Sequence, residues 1–273
     1  MTRPKKCIAT ESLAGAALLA LLLCSSAALA AQVAGTVVHL SGPMQAQKPD
    51  GVLKKLSLKS EVESGDTLLT EKNTYAMVRF IDDSELTLKP GAAVTVDQFA
   101  FERGKPDADS ASFTLIRGGL RSVTGLLGKR SKDKFALKTP SATIGIRGTT
   151  FIVEYIDASA PQALASLQAW LRASSAGLDG AGMPAPLLLA QVEPAIPPAA
   201  PPPGGLPPGL HVYVGDGGIS ITNQAGRFEY DIGQFGYIKD DKTRPVKMST
   251  NPGLQFAPPP AFDRRPAPPA DQY

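Results

Sequence analysis

Apolar and polar residues alternate in short runs along positions 34–155, and Gly, Pro, Asn and Asp interrupt the runs. A period of two marks strands with one buried face. It predicts strands at 35–40, 67–70, 75–80, 85–88, 93–101, 112–117, 120–123, 134–137, 142–146 and 150–156. Past the first, their starts recur about every 8–12 residues, the spacing of an all-β fold. In the last strand Phe151, Val153 and Tyr155 share one face while Ile152 and Ile156 flank Glu154 on the other, which predicts a central position in a sheet. Glu63-Ser64-Gly65-Asp66 and Lys89-Pro90-Gly91 read as turns, and Ile81-Asp82-Asp83-Ser84 as a hairpin tip.

The pattern changes after Tyr155. Leu164, Leu167, Trp170 and Leu171 recur at helical spacing, which predicts an amphipathic helix over 160–178 with Ser159 as its N-cap. Positions 183–208 then hold ten prolines, too many for either regular element. Strand character returns at 210–214, 218–222, 228–232 and 234–238, with Gly215-Asp216-Gly217 at the first hairpin. Four such strands are weak alone, so they are expected to extend the sheet of the first half. The tail 257–273 is again Pro-rich and is expected to be disordered or extended on the surface.

The N-terminus reads as a leader. Arg3, Lys5 and Lys6 precede an apolar run at 13–23, and Ala28-Leu29-Ala30 offers small residues for cleavage between Ala30 and Ala31. A retained anchor is the alternative, since no charge occurs from Ser12 to Val38. Lipidation at Cys24 fits less well, because Leu23 stands where a small residue is usual. Cys7 and Cys24 are the only cysteines. The exported chain would have no thiol and no disulfide, so its stability must come from core burial.

The expected organisation is thus a signal peptide at 1–30, a β domain at 31–156, a helix-plus-proline insertion at 157–208, a continuation of the β domain at 209–256 and a tail at 257–273. The 26 Gly and 25 Pro argue against a helical bundle. Without the leader, 25 basic residues face 24 acidic ones. Such a chain has no general attraction for nucleic acid or anionic lipid, and membrane contact is expected only if the leader is retained.

Several stretches carry a family resemblance. Gly65-Asp66-Thr67-Leu68-Leu69-Thr70, Ala76-Met77-Val78-Arg79-Phe80, Asp83-Ser84-Glu85-Leu86-Thr87-Leu88 and Leu115-Ile116-Arg117-Gly118-Gly119-Leu120 resemble the core of the FecR domain. The strongest is Thr139-Pro140-Ser141-Ala142-Thr143-Ile144-Gly145-Ile146-Arg147-Gly148-Thr149-Thr150-Phe151, similar to the family's Thr-Pro…Arg-Gly-Thr-x-Phe signature. Val212 to Gly218, Asn223-Gln224-Ala225-Gly226 and Gly233-Gln234 resemble its continuing strands. Asp83 departs from it, standing where the hairpin usually has Gly. The resemblance implies an all-β domain, solenoid-like or sandwich. It also implies regulators that pass an iron-siderophore signal from an outer-membrane receptor to a sigma factor through an N-terminal anti-sigma segment. Only about eleven residues precede the apolar run, too few for a folded module. The expectation is therefore a stand-alone exported form without that segment.

Candidate chemistry is sparse. His39 and His211 could be imagined as metal ligands, but no third ligand stands at a recognisable spacing. No G-x-S-x-G, Walker loop or H-E-x-x-H occurs. Asp82, Asp83 and Glu85 could hold Ca²⁺, although a hairpin tip demands the same residues. The loop Arg147, Gly148 and Thr149 is the most pointed feature. Arg147 could offer a bidentate fork to a partner, or could bond loop carbonyls or a buried acid while Gly145 and Gly148 make a tight corner. The run Lys129-Arg130-Ser131-Lys132-Asp133-Lys134 reads as a solvated loop, or as a contact for lipid headgroups or polysaccharide. It has no interleaved aromatics for bases to stack on.

These readings point to an exported, non-enzymatic binding or scaffold module of the cell envelope, periplasmic or secreted. It would have no cofactor and no metal, and an envelope protein or polysaccharide as partner. Exposed sheet edges offer one route for such a partner. A periplasmic regulator in iron-siderophore or cell-surface signalling, working through a membrane partner, is the alternative. A glycan-acting enzyme built on carboxylates such as Asp66, Glu85 and Asp97 is a third reading.

Overall fold

The computed structural model describes residues 32–157 and 205–263. The expected leader with Ala30 and Ala31, the expected helix at 160–178 and most of the expected proline insertion lie outside the described residues. The rest is all-β: seventeen strands, short 3₁₀ turns and a single five-residue helix among the described residues, α1 (Leu126–Arg130).

The strands form two sheets. The front sheet runs, in order, β4 (Glu61–Glu63), β1 (Val33–Leu40), β6 (Ala76–Phe80), β7 (Glu85–Leu88), β9 (Ser110–Val123), β12 (Thr150–Ile156), β13 (Gly209–Asp216), β16 (Phe235–Ile238) and β17 (Val246–Met248). The back sheet runs β3 (Leu53–Leu56), β2 (Met44–Gln47), β5 (Thr67–Thr70), β8 (Ala93–Ala100), β9, β10 (Phe135–Lys138), β11 (Thr143–Ile146), β14 (Gly218–Asn223) and β15 (Gly226–Asp231). All pairings are antiparallel except β9 with β10. From β6 onward the chain lays pairs of strands alternately on one sheet and the other, so the fold winds like a solenoid and packs like a sandwich. The sheets do not close into a barrel.

β9 belongs to both sheets, where sequence periodicity predicts two strands. Its first half pairs with β8 and β10, and its second half with β7 and β12. Gly118 makes the bend at φ 77°, and a Cβ there would meet Ala92 Cα at 2.8 Å. Only glycine fits that corner. Gly215-Asp216-Gly217 likewise carries the chain from β13 on the front sheet to β14 on the back sheet, so it is a crossover and not the predicted hairpin.

The inward rows build one core. Phe80 and Phe151 from the front sheet meet Phe99, Phe113 and Phe135 from the back sheet. Ring centroids are 4.7 Å apart for Phe80–Phe99, 5.2 Å for Phe80–Phe113 and 6.3 Å for Phe135–Phe151. At the other end Tyr230 of β15 lies over Gly236 of β16, where a Cβ would approach the ring to 2.7 Å. Burial pushes the Tyr230 phenol up to about 12. β12 sits between β9 and β13, and β13 pairs with it from Gly209 to Asp216, so 209–238 continues the same two sheets.

The free edges are short or charged. β4 and β17 have three residues each, β3 carries Lys54 and Lys55, and β15 carries Arg227, Glu229 and Asp231. Such edges disfavour strand addition.

Two substitutions test this account. Phe113 touches Phe80, Phe99 and Phe135, so Phe113→Ala should lower unfolding stability by about 3–5 kcal/mol in denaturant titrations. Asp83 occupies the left-handed region at φ 62°. Asp83→Gly should therefore leave the denaturation midpoint unchanged or raise it, while Asp83→Val should lose roughly 1–2 kcal/mol.

Candidate functional site

The signature loop is a structural corner. Thr139 braces the β10–β11 turn, its Oγ1 accepting from the Ala142 amide at 3.0 Å and donating to the Ala142 carbonyl at 2.8 Å. Gly148, at φ 73°, turns the chain from the back sheet to the front sheet. Thr149 is 2% exposed; its Oγ1 donates to Gly218 O at 2.7 Å and its amide donates to Thr124 Oγ1 at 2.9 Å. The Arg147 amide donates to Gly218 O at 2.8 Å, and its guanidinium lies 3.2 Å from Glu229 and 3.3 Å from Asp231. Those acids are partly exposed, so Arg147 closes the loop against β15 and meets no buried acid.

Other flagged groups are also tied into the fold. Asp82 is 2% exposed; Oδ1 accepts from the Ser84 amide and Oδ2 from the Leu127 amide, which joins the hairpin tip to the start of α1. Glu85 pairs with Arg79 at 2.8 Å and Asp66 with Lys48 at 2.9 Å, while Asp97 accepts from Ser112 and Thr114. His39 and His211 are five strand spacings apart in the front sheet, roughly 24 Å, too far to share an ion.

The basic run contains an ion pair that its sequence does not show. Arg130 is exposed but tied down: its Nε and Nη2 donate to both oxygens of Asp109 at 2.8 and 2.6 Å. It also donates to the carbonyls of Arg103 and Glu102 and lies 4.4 Å above the Phe101 ring. The Arg130 hydrogen bonds hold the buried Asp109 carboxyl below its usual range. The partner lies outside the charged run, so the run alone cannot reveal it.

The open feature of the molecule lies on the outer face of the front sheet. Here His39, Met77, Thr87, Arg121, Ile152, Tyr213, Phe235 and Met248 follow one another across eight strands. An outer face is ordinarily polar. This one carries rings and apolar side chains. Tyr213 stacks on Phe235 at 4.5 Å, and Met77 is 4% exposed although it lies outside the main core.

The end of the chain crosses this face. Phe262 packs on His39 at 5.3 Å and on Tyr75 at 6.3 Å, and Phe256 packs on Tyr75 at 6.2 Å. Beside it an open groove of about 580 Å³ is lined by Arg121, Thr150, Ile152, Tyr213, Asp216 and the 256–258 segment. That volume suits a peptide or small-molecule ligand. The Arg121 guanidinium, unlike its strand-paired backbone, donates no hydrogen bond and forms no ion pair among the described residues. The sequence signal for this face was the ring at outward positions of predicted strands, as in Leu210-His211-Val212-Tyr213.

His211 is 1% exposed on this face. Its Nε2 donates to Pro207 O at 2.7 Å, and its ring stacks on Tyr237 at 4.9 Å. Burial lowers its pKa from 6.5, outweighing the Pro207 bond and the Glu154 charge. The folded state therefore favours the neutral ring, and the unfolded chain binds the proton first. This contribution to stability is complete above about pH 6.5 and declines as pH falls toward the lowered native pKa. His211→Gln, which keeps a donor and cannot titrate, should flatten the loss of denaturation midpoint between roughly pH 7 and pH 5 relative to wild type.

Residues 66–166 match the model of the FecR protein family. The described part of that match spans β5 to β12, and β13 to β17 continue the same sheets beyond it. No curated protein matches the chain. The family is known for cell-surface signalling regulators. With its signature stretch forming the corner between the two sheets, the chain is a FecR domain-containing protein.

Proposed function

We propose that the protein is an exported, non-enzymatic binding module of the cell envelope, which holds an extended partner on the outer face of its front sheet. The observation that carries this reading is the open groove beside Tyr213, with a half-buried Arg121 whose guanidinium has no partner among the described residues. A cation taken partly out of water gains most when a carboxylate or another oxyanion meets it. Export is supported by the basic start, the apolar run and the small residues ending at Ala30. The partner is then an envelope protein or polysaccharide.

The second reading is a periplasmic regulator in iron-siderophore or cell-surface signalling, acting through a membrane partner. The FecR match favours it. It differs from the first reading in needing a retained anchor.

N-terminal sequencing of the protein from fractionated cells separates the two. A mature chain starting at Ala31 in the soluble envelope fraction is expected, whereas an intact leader in the membrane fraction would contradict the first reading and favour the regulator. In crosslinked recovery of partners, Arg121→Ala and Tyr213→Ala should lower the yield several-fold, and Arg147→Ala should leave it unchanged.

A further inference from the structure

Two proline-rich segments of the chain already rest on the outer face of the front sheet. At one, the carbonyl oxygens of Pro207 and Pro208 accept from His211 Nε2 and Tyr237 Oη, both at 2.7 Å, while the two rings stack on each other. At the other, 251–262 runs across the strands with Pro258, Pro259 and Pro260 between Phe256 and Phe262, whose rings meet Tyr75 and His39. Leu254 and Phe262 are each 6% exposed and lie outside the main core, so this contact buries a second apolar set. Leu206 lies beside Gly253, which brings the two segments together.

The chemistry is the same in both places. Proline lacks an N–H, so an extended proline-rich stretch offers carbonyl acceptors and flat apolar rings and needs few donors in return. Aromatic side chains with a donor at the tip, standing in rows on a rigid surface, match that need. Tyr213 and Phe235 repeat the ring pair in the next register row. Their neighbour Arg121 opens into the groove that the 256–258 segment only borders.

We propose that the outer face of the front sheet is a docking track for an extended proline-rich peptide bearing a carboxylate, and that the segment 251–262 is its occupant in cis, displaced when such a peptide from a partner binds. This rests on the binding-module reading and names its ligand class. The carboxylate of the incoming peptide meets Arg121, while its prolines and rings take the places of Pro258–Pro260, Phe256 and Phe262. The anchoring is modest, two phenylalanines and one leucine, which suits a segment that must exchange.

The test uses the full chain with a protease site inserted between Thr250 and Asn251, so that the sheets fold with the segment in place before it is cut. The probe is a fluorescent synthetic peptide of residues 251–262 carrying Ala257→Asp, which sets a carboxylate at the position that borders the groove with Arg121, followed by anisotropy. Binding by the uncut protein should be at least ten-fold weaker than by the cut protein after gel filtration. Tyr213→Ala should weaken binding to the cut protein by about ten-fold, and Arg121→Ala several-fold with a loss of salt dependence. A cut segment that stays bound through gel filtration and is then displaced by excess probe also supports the proposal. Equal binding before and after cutting, no binding after the segment has left, or binding indifferent to Tyr213→Ala would overturn it. So would binding of soluble peptidoglycan fragments in place of the peptide. The purified protein reports on the peptide whether or not the leader is cleaved, so failure here and failure of the envelope reading are told apart.

Discussion

The fold depends on one bend. β9 is hydrogen-bonded to the back sheet before Gly118 and to the front sheet after it, so a single strand fixes the two sheets in register. Phe113 in its first half and Leu120 in its second both point into the space between the sheets. Every later pair of strands adds to one sheet or the other from this origin. The core is therefore a long filled slot and not a compact sphere, and its inward rows account for most of the buried side chains. What the outward rows carry is left free for function.

The FecR signature belongs to this construction. Thr139 shapes a hairpin, Gly148 and Thr149 make the crossover, and Phe151 enters the core. Arg147 ends on the surface acids of β15. A motif so thoroughly used in backbone bonding identifies the architecture and says little about a ligand. The outer face of the front sheet differs in kind: its rings stack on one another and on the 256–262 segment, and the Arg121 guanidinium, unpaired among the described residues, faces a groove.

Much of the strand pattern was legible, because inward positions such as Leu86/Leu88 and Leu210/Val212/Val214 alternate cleanly. β2, β3, β4 and β17 were not. Met44-Gln45-Ala46-Gln47 and Leu53-Lys54-Lys55-Leu56 bury only one or two side chains each, which gives a period of two too little to register. The continuity of β9 was hidden by Gly118-Gly119, which reads as a break although it is a bend. The Arg130–Asp109 pair was not legible because Asp109 stands outside the charged run and becomes a neighbour only through the β9–β10 pairing. The proposed binding face draws single residues from many strands and from the 251–262 segment, a juxtaposition that no linear window contains.

The central claim is that partners meet the outer face of the front sheet and not the signature loop. A photo-crosslinking amino acid placed in cells at Tyr213, and separately at Arg147, measures this directly. Adducts formed at position 213 and absent at position 147 are the predicted result. Adducts at 147 with none at 213 would contradict it.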